Sequence, residues 1–138
     1  MLRLLRSVFG DPSRDALIAS AKEALTSPNA PIQEQAAAIE RLSSVADAES
    51  QVLVLKFATN SRVHEWLQQV AGEAVAEMLE GNALDVSQAQ NLTRTAAEAV
   101  VAILSLSQEE RLQRFATQLQ VASLGFTSAL SKQGQSEA

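Results

Sequence analysis

Between Ser61 and Leu79, in SRVHEWLQQVAGEAVAEML, apolar residues recur three and four positions apart for about five turns. Val63, Trp66, Leu67, Val70, Ala71, Ala74, Val75, Met78 and Leu79 form that stripe. A strand alternates with period two and could not put these residues on one side. The stretch therefore predicts a long helix buried along one face, capped by Ser61 and stopped by Gly81 and Asn82. Trp66, the single tryptophan, lies on the stripe between Val63 and Val70; His64, the single histidine, lies off it. On that spacing Trp66 is core, and its replacement by Ala should cost about 3–5 kcal/mol, while His64 is a surface side chain without a role.

The rest of the chain follows the same helical logic. Asp11 and Pro12 suit a helix start before Leu17, Ile18, Ala21, Ala24 and Leu25. Thr26–Pro31 interrupts that helix, and a second begins at Pro31 with Ile32, Ala36, Ile39 and Leu42 along one side. Asp47 suits the cap of AESQVLVLKFAT. Its run Val52–Leu55 is ambiguous by periodicity, and helix is chosen because no second strand exists to pair with it. A further helix starts at Asp85 or Ser87 and runs through Leu104. The last runs from Ser107, spaced with Glu110 as a capping box, to Leu130, with Gly125 marking a close contact or a bend. With the N-terminal segment this makes an all-α chain of about seven helices, packed as antiparallel pairs. It predicts one domain over residues 1–132 and a flexible tail at 133–138.

Composition narrows the function. A chain of 138 residues can bury a core unaided, and without cysteine it has no disulfide scaffold and no thiolate ligands. Arg3 and Arg6 interrupt the apolar start MLRLLRSVF, so no signal peptide or membrane span is expected, which predicts a cytoplasmic protein. Net charge is −5, and the 11 Lys and Arg are scattered, which disfavours nucleic acid as a partner. A lone histidine makes no zinc site or catalytic triad, and no glycine-rich phosphate loop occurs. No catalytic residue, metal or cofactor is assigned, and the chain is not expected to be an enzyme.

Two stretches repeat. AGEAVAEML (Ala71–Leu79) and AAEAVVAIL (Ala96–Leu104) share Ala71/Ala96, Glu73/Glu98, Ala74/Ala99, Val75/Val100 and Leu79/Leu104, and AAAIERL (Ala36–Leu42) is a looser copy. Two units of helix, polar break and small-residue helix, between residues 13 and 79, resemble HEAT or armadillo-like helical repeats. The resemblance implies a short solenoid in which the second helix of each pair lines a concave surface. A plain helical bundle is the alternative. The resemblance would place an acidic row, Glu65, Gln69, Glu73 and Glu77, on the concave side with Glu34 from the preceding unit. That row suggests an interaction protein that occludes or scaffolds a partner protein with a basic surface, such as a bacterial immunity protein neutralising a basic toxin. The competing expectation is a bundle that holds an apolar small molecule among Val52, Leu55, Trp66 and Val70.

Overall fold

The computed structural model describes residues 10–124, with side chains from 14 to 122. Six α-helices follow one another: α1 Gly10–Thr26, α2 Ile32–Val45, α3 Ala48–Ala58, α4 Glu65–Glu80, α5 Arg94–Leu104 and α6 Glu110–Leu119. A 3₁₀ turn at Val86–Gln88 precedes α5, and a π-helical turn at Gln120–Leu124 follows α6. No strand occurs among the described residues, and the ambiguous Val52–Leu55 run is helical. Among the described residues no helix is long and apolar enough to cross a membrane. The expected N-terminal segment, Gly125 and the tail at 133–138 lie outside the described residues.

Helices α1 and α2 form one hairpin, α3 and α4 a second, and α5 and α6 a third. The middle of the molecule is α4, which packs on α2, α3 and α5. Ten of its 16 residues are buried, four of them Ala71, Gly72, Ala74 and Ala76. Small residues let neighbouring backbones approach, and Ile39, Leu42, Val75, Met78, Leu79 and Leu104 fill the space between them. The closest approach is at Gly72. A Cβ built there would lie 2.4 Å from the Ala96 carbonyl oxygen and 2.8 Å from its Cα, closer than any side chain can sit.

Helix ends are fixed by local hydrogen bonds. Asp47 accepts the Ser50 N–H at 2.7 Å, as its sequence position suggested. The left-handed residue after α4 is Asn82 (φ 64°) and not Gly81 (φ −84°). Ala46 also takes a left-handed conformation, φ 54°, to close α2. The helix expected from Asp85 or Ser87 to Leu104 is interrupted: Asn91 has φ 61°, and Thr93 caps α5 by accepting the Ala96 N–H at 3.1 Å. This break lets the chain return along the molecule. Leu84 and Ala89 are buried on the way, and the Thr93 N–H donates to the Ala58 carbonyl at 2.9 Å, so α5 starts beside the beginning of α4. Ser107 is buried and accepts the Glu109 N–H at 3.1 Å, while α6 itself starts at Glu110.

Two buried or half-buried amides hold loops in place. Gln51 Nε2 donates to the Ala46 and Ala83 carbonyls, both at 2.9 Å, tying the end of α2 to the return segment. Gln68 is 7% exposed and donates to the Val63 and Ser61 carbonyls at 2.7 and 3.3 Å. On the outside, Lys22 of α1 reaches Asp47 at 3.1 Å and Glu49 at 2.9 Å. The Asp47 carboxyl is held down to about 2, first by the adjoining Ser50, whose backbone N–H also donates to it, and then by the Lys22 ammonium.

Gly72→Ala should destabilise the fold by about 1–3 kcal/mol, because the Ala96 backbone must move to admit the methyl group. Gly81→Ala, whose Cβ would meet only the Glu77 carbonyl at 3.4 Å, should be close to neutral. Urea unfolding of the two variants compares them, and equal stability would remove the special status of the Gly72 contact. A second expectation concerns acid. With its pKa lowered from 3.8 to about 2, Asp47 contributes stability that is complete above about pH 4 and fades as pH falls toward 2. The difference in urea midpoint between the protein and Asp47→Asn should therefore be constant from neutral pH to about pH 4 and shrink below it.

Candidate partner-binding face

At 100° per residue, Glu65, Trp66, Gln69, Glu73, Glu77 and Glu80 fall within about 120° of the circumference of α4. Every exposed side chain of α4 lies in this arc: all six are exposed except Glu73, which is half-buried, while Ala76 within the same arc is buried. Helices α5 and α2 flank it. Thr95 Oγ1 of α5 donates to Glu65 at 3.3 Å, and Ser43 Oγ of α2 donates to Glu77 at 3.0 Å. Between them Gln69 Nε2 donates to Glu73 at 3.5 Å. No salt bridge among the described residues involves Glu65, Glu73, Glu77 or Glu80.

Four of the five residues expected to recognise a partner are thus brought together, Glu65, Gln69, Glu73 and Glu77. Glu34 is not with them. It is exposed in the first turn of α2, nine residues before Ser43, which puts it half a turn around the helix from the side that meets Glu77. Reading Glu34 from its place in the repeat did not fix its angle on the helix.

Trp66 belongs to this face and not to the core. It is 43% exposed, because it stands at the edge of the buried stripe, about 40° from Val70 but only about 20° from Glu73 and Glu77 around α4. Since α4 starts at Glu65 and not at Ser61, Val63 lies in the preceding turn, and the apparent Val63–Trp66–Val70 stripe counts across a helix start. From inside the helix, Trp66 shares its angle with Gln69, Glu73 and Glu77. His64 is exposed, as expected, yet it has a role: its Nδ1 accepts the Trp66 N–H at 3.0 Å and caps α4 in place of Ser61. As an acceptor, Nδ1 carries no hydrogen, so the neutral ring is protonated on Nε2.

Of the four residues expected to enclose a small molecule, Val52, Leu55, Trp66 and Val70, none lines any of three surface grooves. Val52 is 64% exposed and Trp66 is 43% exposed, whereas Val70 is buried in the core. The α4 face borders a groove of about 330 Å³ against α5, with Ala99, Ala102 and Ile103 as its apolar lining and Glu73 and Glu98 among its polar residues. Two more grooves lie elsewhere: one between α1 and α2 at Arg14, Ile18 and Glu40, the other at the start of α4, where His64 meets Phe57, Leu67 and Ile32. Among the described residues no group of three or more His, Asp and Glu could hold a metal ion. No protein family matches the chain, and neither a curated protein nor a solved structure matches it significantly.

Truncating His64 and Trp66 should narrow the gap that periodicity predicts between them. His64→Ala removes a cap and should cost about 1 kcal/mol. Trp66→Ala removes a partly solvated side chain and should cost less than the roughly 3 kcal/mol at which buried aromatic truncations begin. Thermal or urea unfolding of both decides this, and a loss of several kcal/mol for Trp66→Ala would return Trp66 to the core.

Proposed function

We propose that the chain is a protein-interaction module that acts by occluding or scaffolding a partner with a basic surface, docked on the exposed face of α4. The observation that carries this reading is the exposed Trp66 among carboxylates that no cation of the described residues neutralises. Tryptophan is enriched at the energetic centres of protein interfaces, where it supplies much apolar area with few rotatable bonds. The carboxylates around it raise the local concentration of a positive partner and orient its approach. An immunity protein that neutralises a basic toxin in the cytoplasm is a concrete form of this role, supported by net charge −5 and a small helical fold.

The reading excludes a catalytic task for this face. Five of its six side chains are exposed, whereas acid–base catalysis draws on buried or closely paired carboxylates.

Capture from the native cell, followed by binding kinetics with the partner recovered, tests the proposal. Reversing Glu65, Glu73 and Glu77 to Lys should leave the helix folded, since none contributes to the core. It should slow association by about tenfold or more and flatten its dependence on ionic strength, because attraction across a Debye length of roughly 8 Å is lost. Glu34→Lys, on the far side of α2, should have much less effect than any one of these reversals made singly. Association unchanged by the triple reversal would remove this face from the proposal.

A further inference from the structure

The groove between α4 and α5 allows the partner's chemistry to be specified, provided that the α4 face is the docking surface proposed above. Its apolar lining, Ala99, Ala102 and Ile103, comes from α5, while one carboxylate comes from each helix, Glu73 from α4 and Glu98 from α5. A volume of about 330 Å³ is too small for a helix and large enough for a long side chain. A carboxylate-bearing slot with an apolar lining suits a side chain whose stem is apolar and whose end is positive. Lysine offers a single point charge, whereas arginine has five donors in a planar fork that can serve two carboxylates at once. Glu98 already attracts a guanidinium: Arg94 Nε lies 3.8 Å from it, a long contact between side chains that are 64% and 58% exposed. Such a pair is weak and exchangeable.

Trp66 fixes a second point. It lies two turns before Glu73 on the same face, about 10 Å along the helix axis. A helix laid along α4 would meet both points with an arginine and a large apolar residue two turns apart. No strand edge exists among the described residues for an extended segment to join, which favours a helix laid on the face with one side chain entering the groove. We infer that the α4–α5 groove receives an arginine from a basic amphipathic helix of the partner, with an apolar residue of that helix resting on Trp66.

The test uses the full chain and a synthetic alanine-rich helical peptide with lysines for solubility, carrying one Arg and one Leu two turns apart. Calorimetry measures its binding, and emission from the single tryptophan reports contact at Trp66. Saturable binding with a shift of that emission to shorter wavelength is expected, weakened about tenfold or more when the peptide Arg becomes Gln. Glu73→Gln and Glu98→Gln should each weaken the Arg peptide several-fold more than the Gln peptide, a coupling that general attraction of the peptide lysines to a charged face would not produce. Arg94→Gln should tighten binding by freeing Glu98. Equal effects on both peptides, or no saturable binding of the Arg peptide, would overturn the inference. If the triple reversal abolishes capture of the cellular partner while Glu73→Gln and Glu98→Gln show no coupling, the docking face stands and the arginine groove is wrong.

Discussion

The contact between Gly72 and the backbone of Ala96 sets the spacing of the molecule. With 2.4 Å between a hypothetical Cβ and the Ala96 carbonyl oxygen, α4 and α5 lie as close as two helices can without side chains between them. That proximity seals one side of α4, while α2 and α3 seal two others. What remains open is the narrow face bearing Trp66 and the carboxylates. Core and candidate site are therefore two results of one packing arrangement: a wider α4–α5 spacing would deepen the groove and loosen Ala96, Val100 and Leu104, all fully buried. The two segments that repeat in sequence, Ala71–Leu79 and Ala96–Leu104, belong to the two helices in this contact. Their shared small residues are what permits it.

Much of the architecture could be read from the residues. Absence of alternation, abundance of alanine and the Asp47 cap pointed to helices, and Val52–Leu55 was assigned to a helix because nothing could pair with it as a strand. The errors have local causes. Trp66 reads as core when Val63 is counted as part of the helix, and the true start, a histidine cap at His64, is a rare choice among better capping residues. Gly72 carried no signal of its own, because a glycine inside a helical pattern can mean a close contact or nothing. The interruption near Asn91 was missed because the segment from Asp85 to Leu104 contains no glycine or proline to mark a turn. Helical angle within each element was legible for α4, which is why four of five candidate residues share a face. The relation between elements was not, and Glu34 fell on the wrong side of α2 for that reason.

Polar groups inside the structure act mainly on loops. Gln51 and Gln68 each satisfy two carbonyl oxygens where helices end or begin, and each amide would leave those oxygens unpaired if it were replaced by an apolar side chain. Ser50 is a contrast: it is fully buried, and its hydroxyl closes no hydrogen bond of good geometry. It lies in the first turn of α3, beside the Asp47 cap, whose carboxylate accepts its backbone N–H. The fold thus uses glutamine where two backbone segments must be held together, and sets a small buried serine beside the Asp47 carboxylate that caps α3.

The return segment from Gly81 to Thr93 has a consequence for how the chain is made. The first two hairpins end at Glu80, so during synthesis they are complete before α5 exists. Through that interval the side of α4 that carries Gly72 and Ala76 has no cover, although both residues are buried in the finished protein. The Thr93 N–H must then find the Ala58 carbonyl at the far end of the second hairpin before α5 can be laid down. Until Arg94–Leu104 docks, α4 presents a smooth, small-residue surface on that side, so the docking of α5 is the step that completes the core around α4.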